Sequence, residues 1–264
     1  MAKTEEFNFK EYMTNLDLNK YVKEGFIRSL EKEPKTLLIG LFSAGILSCV
    51  LVLLISALME RLFPFFGRDL NKFNYLELIL YTFVGISLVE EGCKWFFTTI
   101  IGYKNKNFDE AYDIIVYATF VSLGFASIEN LLYVYNGNIV TGILRALTSV
   151  PGHVCFGITM GYYLLLAKIA KKNNNKKLHI KNLILSILMP IIEHGIYDFC
   201  AFSKNTILML LLLGGLVVFF IFSHNKIKTL SKITEKVTYN NKYCPKCGKE
   251  VSTLFCPSCG NKNK

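Results

Sequence analysis

The sequence predicts an all-α protein, a polytopic helix bundle that crosses a membrane about six times, and three observations carry that prediction. Of the 264 residues, 52% are hydrophobic and 19% charged, with a mean hydropathy of +0.36. Soluble domains carry about 25% charged residues. The apolar residues are also clumped: Thr36 to Met59 and Asn205 to Ser223 run without a charge. Each is long enough for a helix that needs about 20 apolar residues to cross a ~30 Å hydrocarbon layer. Four further hydrophobic segments, Leu78–Gly102, Ile114–Tyr135, Ala146–Ala167 and Asn182–Ser203, bring the count to six. With six spans, all but six of the 30 Lys and Arg fall on one side of the membrane. The exceptions are Arg61, Arg68, Lys72 and Lys204 on the opposite side, and Lys94 and Arg145 in or beside spans. This asymmetry predicts that both termini are cytoplasmic. It accounts for the net charge of +10 without nucleic acid as a partner. A secreted enzyme, a nucleic-acid-binding domain and a disordered tail are excluded as the main reading.

Taken in order, residues 1–35 are polar, with Phe9, Tyr12, Met13, Leu16, Phe26 and Leu30 at helical spacings. They predict an amphipathic helix lying on the inner membrane surface or packed on the bundle ends. The stretch has no apolar central region of the kind a signal peptide needs. Residues 36–223 hold the six spans. Between the fourth and fifth, Lys171–Lys177 (KKNNNKK) reads as a solvated loop near anionic headgroups. Residues 224–239 read as a Lys- and Thr-bearing linker to a last module, 240–264.

That module carries Cys244, Cys247, Cys256 and Cys259 as C-P-K-C-G and C-P-S-C-G. Two C-x-x-C pairs can close a tetrahedral shell of four thiolates around a structural Zn²⁺. Gly248 and Gly260 follow the second cysteine of each pair, where a glycine lets the turn tighten. Two disulfides are the alternative, but the predicted topology puts this tail in a reducing compartment. So short a segment cannot build a core, and the metal would supply its folding energy. A zinc ribbon is therefore expected. Cys49, Cys93, Cys155 and Cys200 are scattered through the spans and read as small core hydrophobes.

Ionisable groups inside a bilayer are costly, so each is a functional hypothesis. The second span carries Glu90, Glu91 and Lys94, the third Glu129, the fourth His153, and the fifth Glu193, His194 and Asp198; the first and last carry none. Lys94 stands four residues after Glu90 and three after Glu91, so it can partner either. His194 and Asp198 are at i, i+4, where the carboxylate can orient the imidazole. His153, Gly157 and Gly161 share a face that admits a neighbouring helix closely. All four sets fall between the outer interface and roughly the midplane, at ~1.5 Å of rise per residue. A shared depth is what one buried site requires.

These residues resemble the PrsW family of bacterial intramembrane proteases. Glu90-Glu91-Gly92-Cys93-Lys94 is similar to its E-E-x-x-K motif, and Phe125 to Asn130 to its F-x-x-x-E-N element. His153 to Gly157 fits its H-x-x-x-G, and His194 to Asp198 its H-x-x-x-D. The four occur in order, each in its own span, and the resemblance covers about residues 36–223. It implies a multi-pass protease of the bacterial cell membrane, active in stress signalling. The implied reaction cuts a single-span membrane protein, such as an anti-sigma factor, on its extracytoplasmic side. A distant kinship with the CAAX-prenyl endopeptidase fold is also implied. The ribbon lies outside the resemblance.

Peptide hydrolysis needs a water, a base to deprotonate it, and a partner for the developing oxyanion. Glu90 or Glu91 is the expected base. His153, His194 and Glu129 could form a three-ligand open site for a second, catalytic Zn²⁺; without metal, the same histidines could hydrogen-bond the oxyanion. An ion-coupled carrier using these groups as a proton relay is the main alternative, although no paired repeat is visible. A non-catalytic scaffold whose ribbon binds a cytoplasmic partner is the third.

Overall fold

The computed structural model describes residues 33–108 and 112–239. The expected helix over 1–35, apart from its last three residues, and the expected ribbon over 240–264 lie outside the described residues. Helix α1 (Lys35–Leu62) begins at the chain's first apolar run and ends where Phe63 turns extended ahead of Pro64. Two 3₁₀ turns, Pro64–Gly67 and Leu70–Lys72, lead to a helical rod. The rod comprises α2 (Tyr75–Leu80), a π-helical segment Tyr81–Ser87, α3 (Leu88–Phe97) and a second π-helical segment Thr98–Tyr103. Its start is set by a capping box in which Asn74 and Glu77 exchange side-chain and backbone hydrogen bonds. Next come α4 (Asp113–Asn136), the short α5 (Ile139–Leu147) and α6 (Ser149–Lys172). Helices α7 (Lys176–Phe202) and α8 (Thr206–Tyr239) complete the bundle.

Among the described residues, five segments are long and apolar enough to cross a membrane: Lys35–Leu62, Asp113–Asn136, Ile139–Lys172, Lys176–Phe202 and Thr206–Lys226. The expected second span, Leu78–Gly102, lies within the rod, which is helical throughout but carries three charges in α3 and two π-helical stretches. No strand occurs among the described residues. Residues 224–239, expected as a linker, continue α8 unbroken, since they contain neither glycine nor proline to stop it.

Packing follows from where side chains are small. A Cβ on Gly45 of α1 would stand 2.1 Å from the carbonyl oxygen of Val121 in α4, and one on Gly124 would stand 2.0 Å from that of Phe42. Backbone therefore touches backbone at the α1–α4 crossing. Gly161 of α6 meets α4 the same way, 2.7 Å from Ile115 Cα, and Gly157 faces Ser122. With α1 and α6 on either side, the first half of α4 is enclosed: Ile114, Ile115, Val116, Tyr117 and Ala118 are all 0% exposed. Helix α7 lies along α6, tied to α3 by a 2.8 Å hydrogen bond from Trp95 Nε1 to Ser186 Oγ. Helix α8 covers α6 and α7 with few residues, Leu212 and Leu216 among them, and turns Leu210, Leu211, Val217 and Phe222 outward, as a lipid-facing helix does. The polar helices thus occupy the middle, with α1 and α8 outside them.

Candidate active site

The π-helical segment Tyr81–Ser87 sets the direction of α3. A π turn adds a residue to the helical circuit and rotates the turns after it, and such insertions favour functional sites. Here Ser87 Oγ donates to Thr82 O at 2.8 Å. Beyond it, Glu90, Glu91, Cys93 and Lys94 are buried together. Glu91 and Lys94 are 0% exposed.

Lys94 is the hub. Its Nζ lies 2.6 Å from Glu91 Oε1, 3.8 Å from Glu90 Oε2 and 3.0 Å from His153 Nδ1, and 4.1 Å from the centre of the Phe125 ring. An ammonium only donates, so His153 Nδ1 accepts and the ring proton sits on Nε2. That Nε2 is 2.9 Å from Glu129 Oε2, to which it donates. The other oxygen of Glu129 pairs with Arg145 of α5 at 2.7 Å. On the opposite flank, His194 Nδ1 lies 2.9 Å from Glu91 Oε1, and His194 Nε2 lies 3.3 Å from Asp198 Oδ2 and 3.9 Å from Glu90 Oε2. The imidazoles of His153 and His194 meet edge to face at 5.1 Å, and Phe156 stacks on His194 at 5.0 Å. A chain of polar contacts therefore runs from Asp198 through His194, Glu91, Lys94, His153 and Glu129 to Arg145.

Seven of the eight residues singled out in the four spans, Glu90, Glu91, Lys94, Glu129, His153, His194 and Asp198, are brought into this one cluster. Arg145, expected only in or beside a span, completes it. The signal for that role lies in the sequence: a lone guanidinium in an apolar stretch needs a carboxylate, and Glu129 is the only one in the preceding expected span. Glu193 points elsewhere. It binds Thr159 Oγ1 at 2.8 Å and Lys226 Nζ of α8 at 2.8 Å, so it ties the last helix to the bundle.

Among the described residues, Glu90, His153 and His194 form the group that could hold a metal, each offering a ligand atom within 4.8 Å of the others. Glu129, expected as a ligand, is not in that group, because His153 and Arg145 take its two oxygens. Two features fit a cation. Glu90 Oε2 and Glu91 Oε2 are buried without a hydrogen-bond partner. Four carboxylates also stand against Lys94 and Arg145, an excess of two negative charges when the imidazoles are counted as neutral. Imidazole and carboxylate are donors that zinc accepts. Ligation by His153 would replace its hydrogen bond to Lys94 or to Glu129.

Comparisons with known proteins point to one family. Residues 33–224 match the model of the PrsW family intramembrane metalloprotease. The chain is 39% identical over 186 residues to the Protease PrsW of Oceanobacillus iheyensis, covering 70% of this chain and 80% of that one. It is 33% identical over 223 residues to the Protease PrsW of Clostridioides difficile, covering 82% and 90%. Against the Protease PrsW of Bacillus subtilis the match is 41% over 118 residues, covering 45% and 52%. No solved structure matches. With every residue of the cluster inside the matched stretch, the chain belongs to the PrsW family and is an intramembrane protease.

Proposed function

We propose that this protease cuts a single-span membrane protein, of the anti-sigma-factor kind, near the extracytoplasmic face of a bacterial membrane, with Glu90 as the proton-accepting carboxylate. The observation that carries the reading is Glu90 Oε2. It is buried without a hydrogen bond, and its residue belongs to the converging Glu90, His153 and His194 set and lines a groove between α1 and the rod. Glu91 is less suited to the role, because Lys94 and His194 share one of its oxygens and no part of it is exposed. The side of attack is supported by depth. His153 stands one turn from the start of α6, and Asp198 one turn from the end of α7. Both ends lie on the side that the Lys and Arg asymmetry makes extracytoplasmic.

In this reading a water entering by the groove gives its proton to Glu90, which returns it to the leaving nitrogen as the peptide bond breaks. Lys94 is fully enclosed, so it positions Glu91 and His153 and does not meet the substrate. His194 lies between Glu91 and Asp198, which hold its ring in one orientation. Glu90, His153 and His194 would hold a zinc ion; when bound, it would polarise the scissile carbonyl and its attacking water. A carboxylate that ligates through one oxygen keeps the other for the proton. A second, structural zinc is proposed for Cys244, Cys247, Cys256 and Cys259. The carrier reading is disfavoured by the family to which the chain belongs.

The test is cleavage of a single-span reporter by purified protein in detergent. Glu90→Gln and His194→Ala are each expected to lower cleavage at least a hundredfold with membrane insertion intact. A membrane-permeant chelator is expected to inhibit, and added Zn²⁺ to restore activity, in full-length and ribbon-less protein alike. Normal cleavage by Glu90→Gln would remove Glu90 from the chemistry.

A further inference from the structure

The groove that ends on Glu90 is lined on one side by Val52, Ser56, Met59 and Glu60 of α1, and on the other by Phe66, Tyr81, Gly85 and Ile86. Exposure rises along it, from buried Val52 and Glu90, through partly buried Ser56 and Met59, to exposed Glu60. The π-helical segment supplies one wall. At its centre Gly85 admits the Phe66 ring, which a Cβ there would meet at 2.9 Å. The groove thus begins at a carboxylate facing outward and ends at a second, buried carboxylate, whose Oε2 no hydrogen bond satisfies.

We infer that this groove seats the substrate strand beside the scissile bond, and that Glu60 selects a basic residue in that strand. The inference rests on the protease reading above. Val52 and Glu90 are the buried residues of the lining, and Glu60 follows Val52 by eight residues on α1, a rise of about 12 Å. An extended peptide advances about 3.3 Å per residue, so about four residues span the groove. A Lys or Arg three to five residues from the cut, on the outer side, therefore reaches Glu60 when the peptide bond lies at Glu90. Charge complementarity favours this occupant: a strand with an acidic residue there would meet two carboxylates in one groove.

The experiment uses full-length protein in detergent and single-span peptides that carry Lys, Ala or Glu at each position three to five residues from the cut. Wild-type protein is expected to show a KM roughly fivefold lower for the Lys peptide than for the Glu peptide at one position, the size of a partly exposed ion pair, with kcat nearly unchanged. Glu60→Gln is expected to erase the difference, and Glu60→Lys to invert it, the inversion showing that the variant is folded. The same Lys-over-Glu ratio in all three proteins would overturn the assignment of Glu60 and leave the protease reading standing. If wild-type protein cuts none of the peptides, the protease reading itself fails and takes this inference with it.

Discussion

Arg145 illustrates how a single residue can matter without touching the substrate. It holds Glu129, Glu129 holds His153 Nε2, and the proton on that nitrogen leaves Nδ1 to accept from Lys94. Arg145 also stacks its guanidinium 3.6 Å from the Tyr133 ring centre and donates to Ser149 Oγ at 3.0 Å. Replacing it with Met leaves the Glu129 carboxylate half-paired in a mostly buried place, where losing a partner is costly. Arg145→Met is expected to lower kcat by about 10- to 100-fold with little change in KM, the range in which partners behind the reacting groups act. Arg145→Lys is expected to recover part of that loss, since it keeps the charge but not the planar fork. Steady-state kinetics on the reporter check both. Asp198→Asn is expected to lose less activity than Glu90→Gln in the same assay, because an amide can still hydrogen-bond His194 at the position now 3.3 Å away.

Among the elements, α4 decides whether the site can form, since it packs against α1 and α6 and carries Glu129. Its crossings depend on glycine in a graded way. Gly45→Ala would place a methyl 2.1 Å from a backbone oxygen, and Gly161→Ala one 2.7 Å from a backbone carbon. Neither neighbour can rotate away, so the helices must separate. Each substitution is expected to cost about 1–3 kcal/mol, the usual penalty of overpacking. Gly40→Ala and Gly214→Ala meet nothing within 4 Å and are expected to change stability by less than about 0.5 kcal/mol. Thermal unfolding in detergent, read for all four variants side by side, checks the contrast. Equal behaviour would mean that backbone does not touch backbone at the α1–α4 and α4–α6 crossings.

For the whole molecule, the layering matches the cost of charge in lipid. The ionisable cluster sits in the middle of the bundle, and the exposed Leu, Val and Phe of α1 and α8 face outward. Helix α8 also runs on to Tyr239 and is pinned by Lys226 to Glu193, so the zinc module proposed beyond residue 239 would be joined to the bundle by helix. Full-length protein is expected to hold one Zn²⁺ more per chain than protein ending at Tyr239, and the shortened protein to retain most of its reporter cleavage. Elemental analysis and the cleavage assay check the two statements separately. Reporter fusions at Asn71 and Gly137 are expected outside and those at Asn173 and Lys264 inside; an outside Lys264 would reverse the assigned side of attack.

Five of the six expected spans, the order of the four motifs and the shared face of His194 and Asp198 were legible from the chain alone. Each depends on a local period: about 20 apolar residues for a crossing, or four residues for one turn. Most of the cluster's membership, Arg145 excepted, was legible for a related reason. A buried charge is so costly that Glu90, Glu91, Lys94, Glu129, His153 and His194 had to find one another. The chain alone could not reveal which atom meets which. Glu90 and Glu91 are adjacent in sequence, yet Glu91 carries both Lys94 and His194 while Glu90 Oε2 is left without a hydrogen bond at the groove. Glu193 and His194 diverge in the same way, one toward Lys226 and the other into the cluster. Glu129 and Arg145 are paired across two helices. A helical period says which residues share a face. Only the packing of the helices, through glycine crossings and a π-helical stretch that re-aims α3, decides what that face meets.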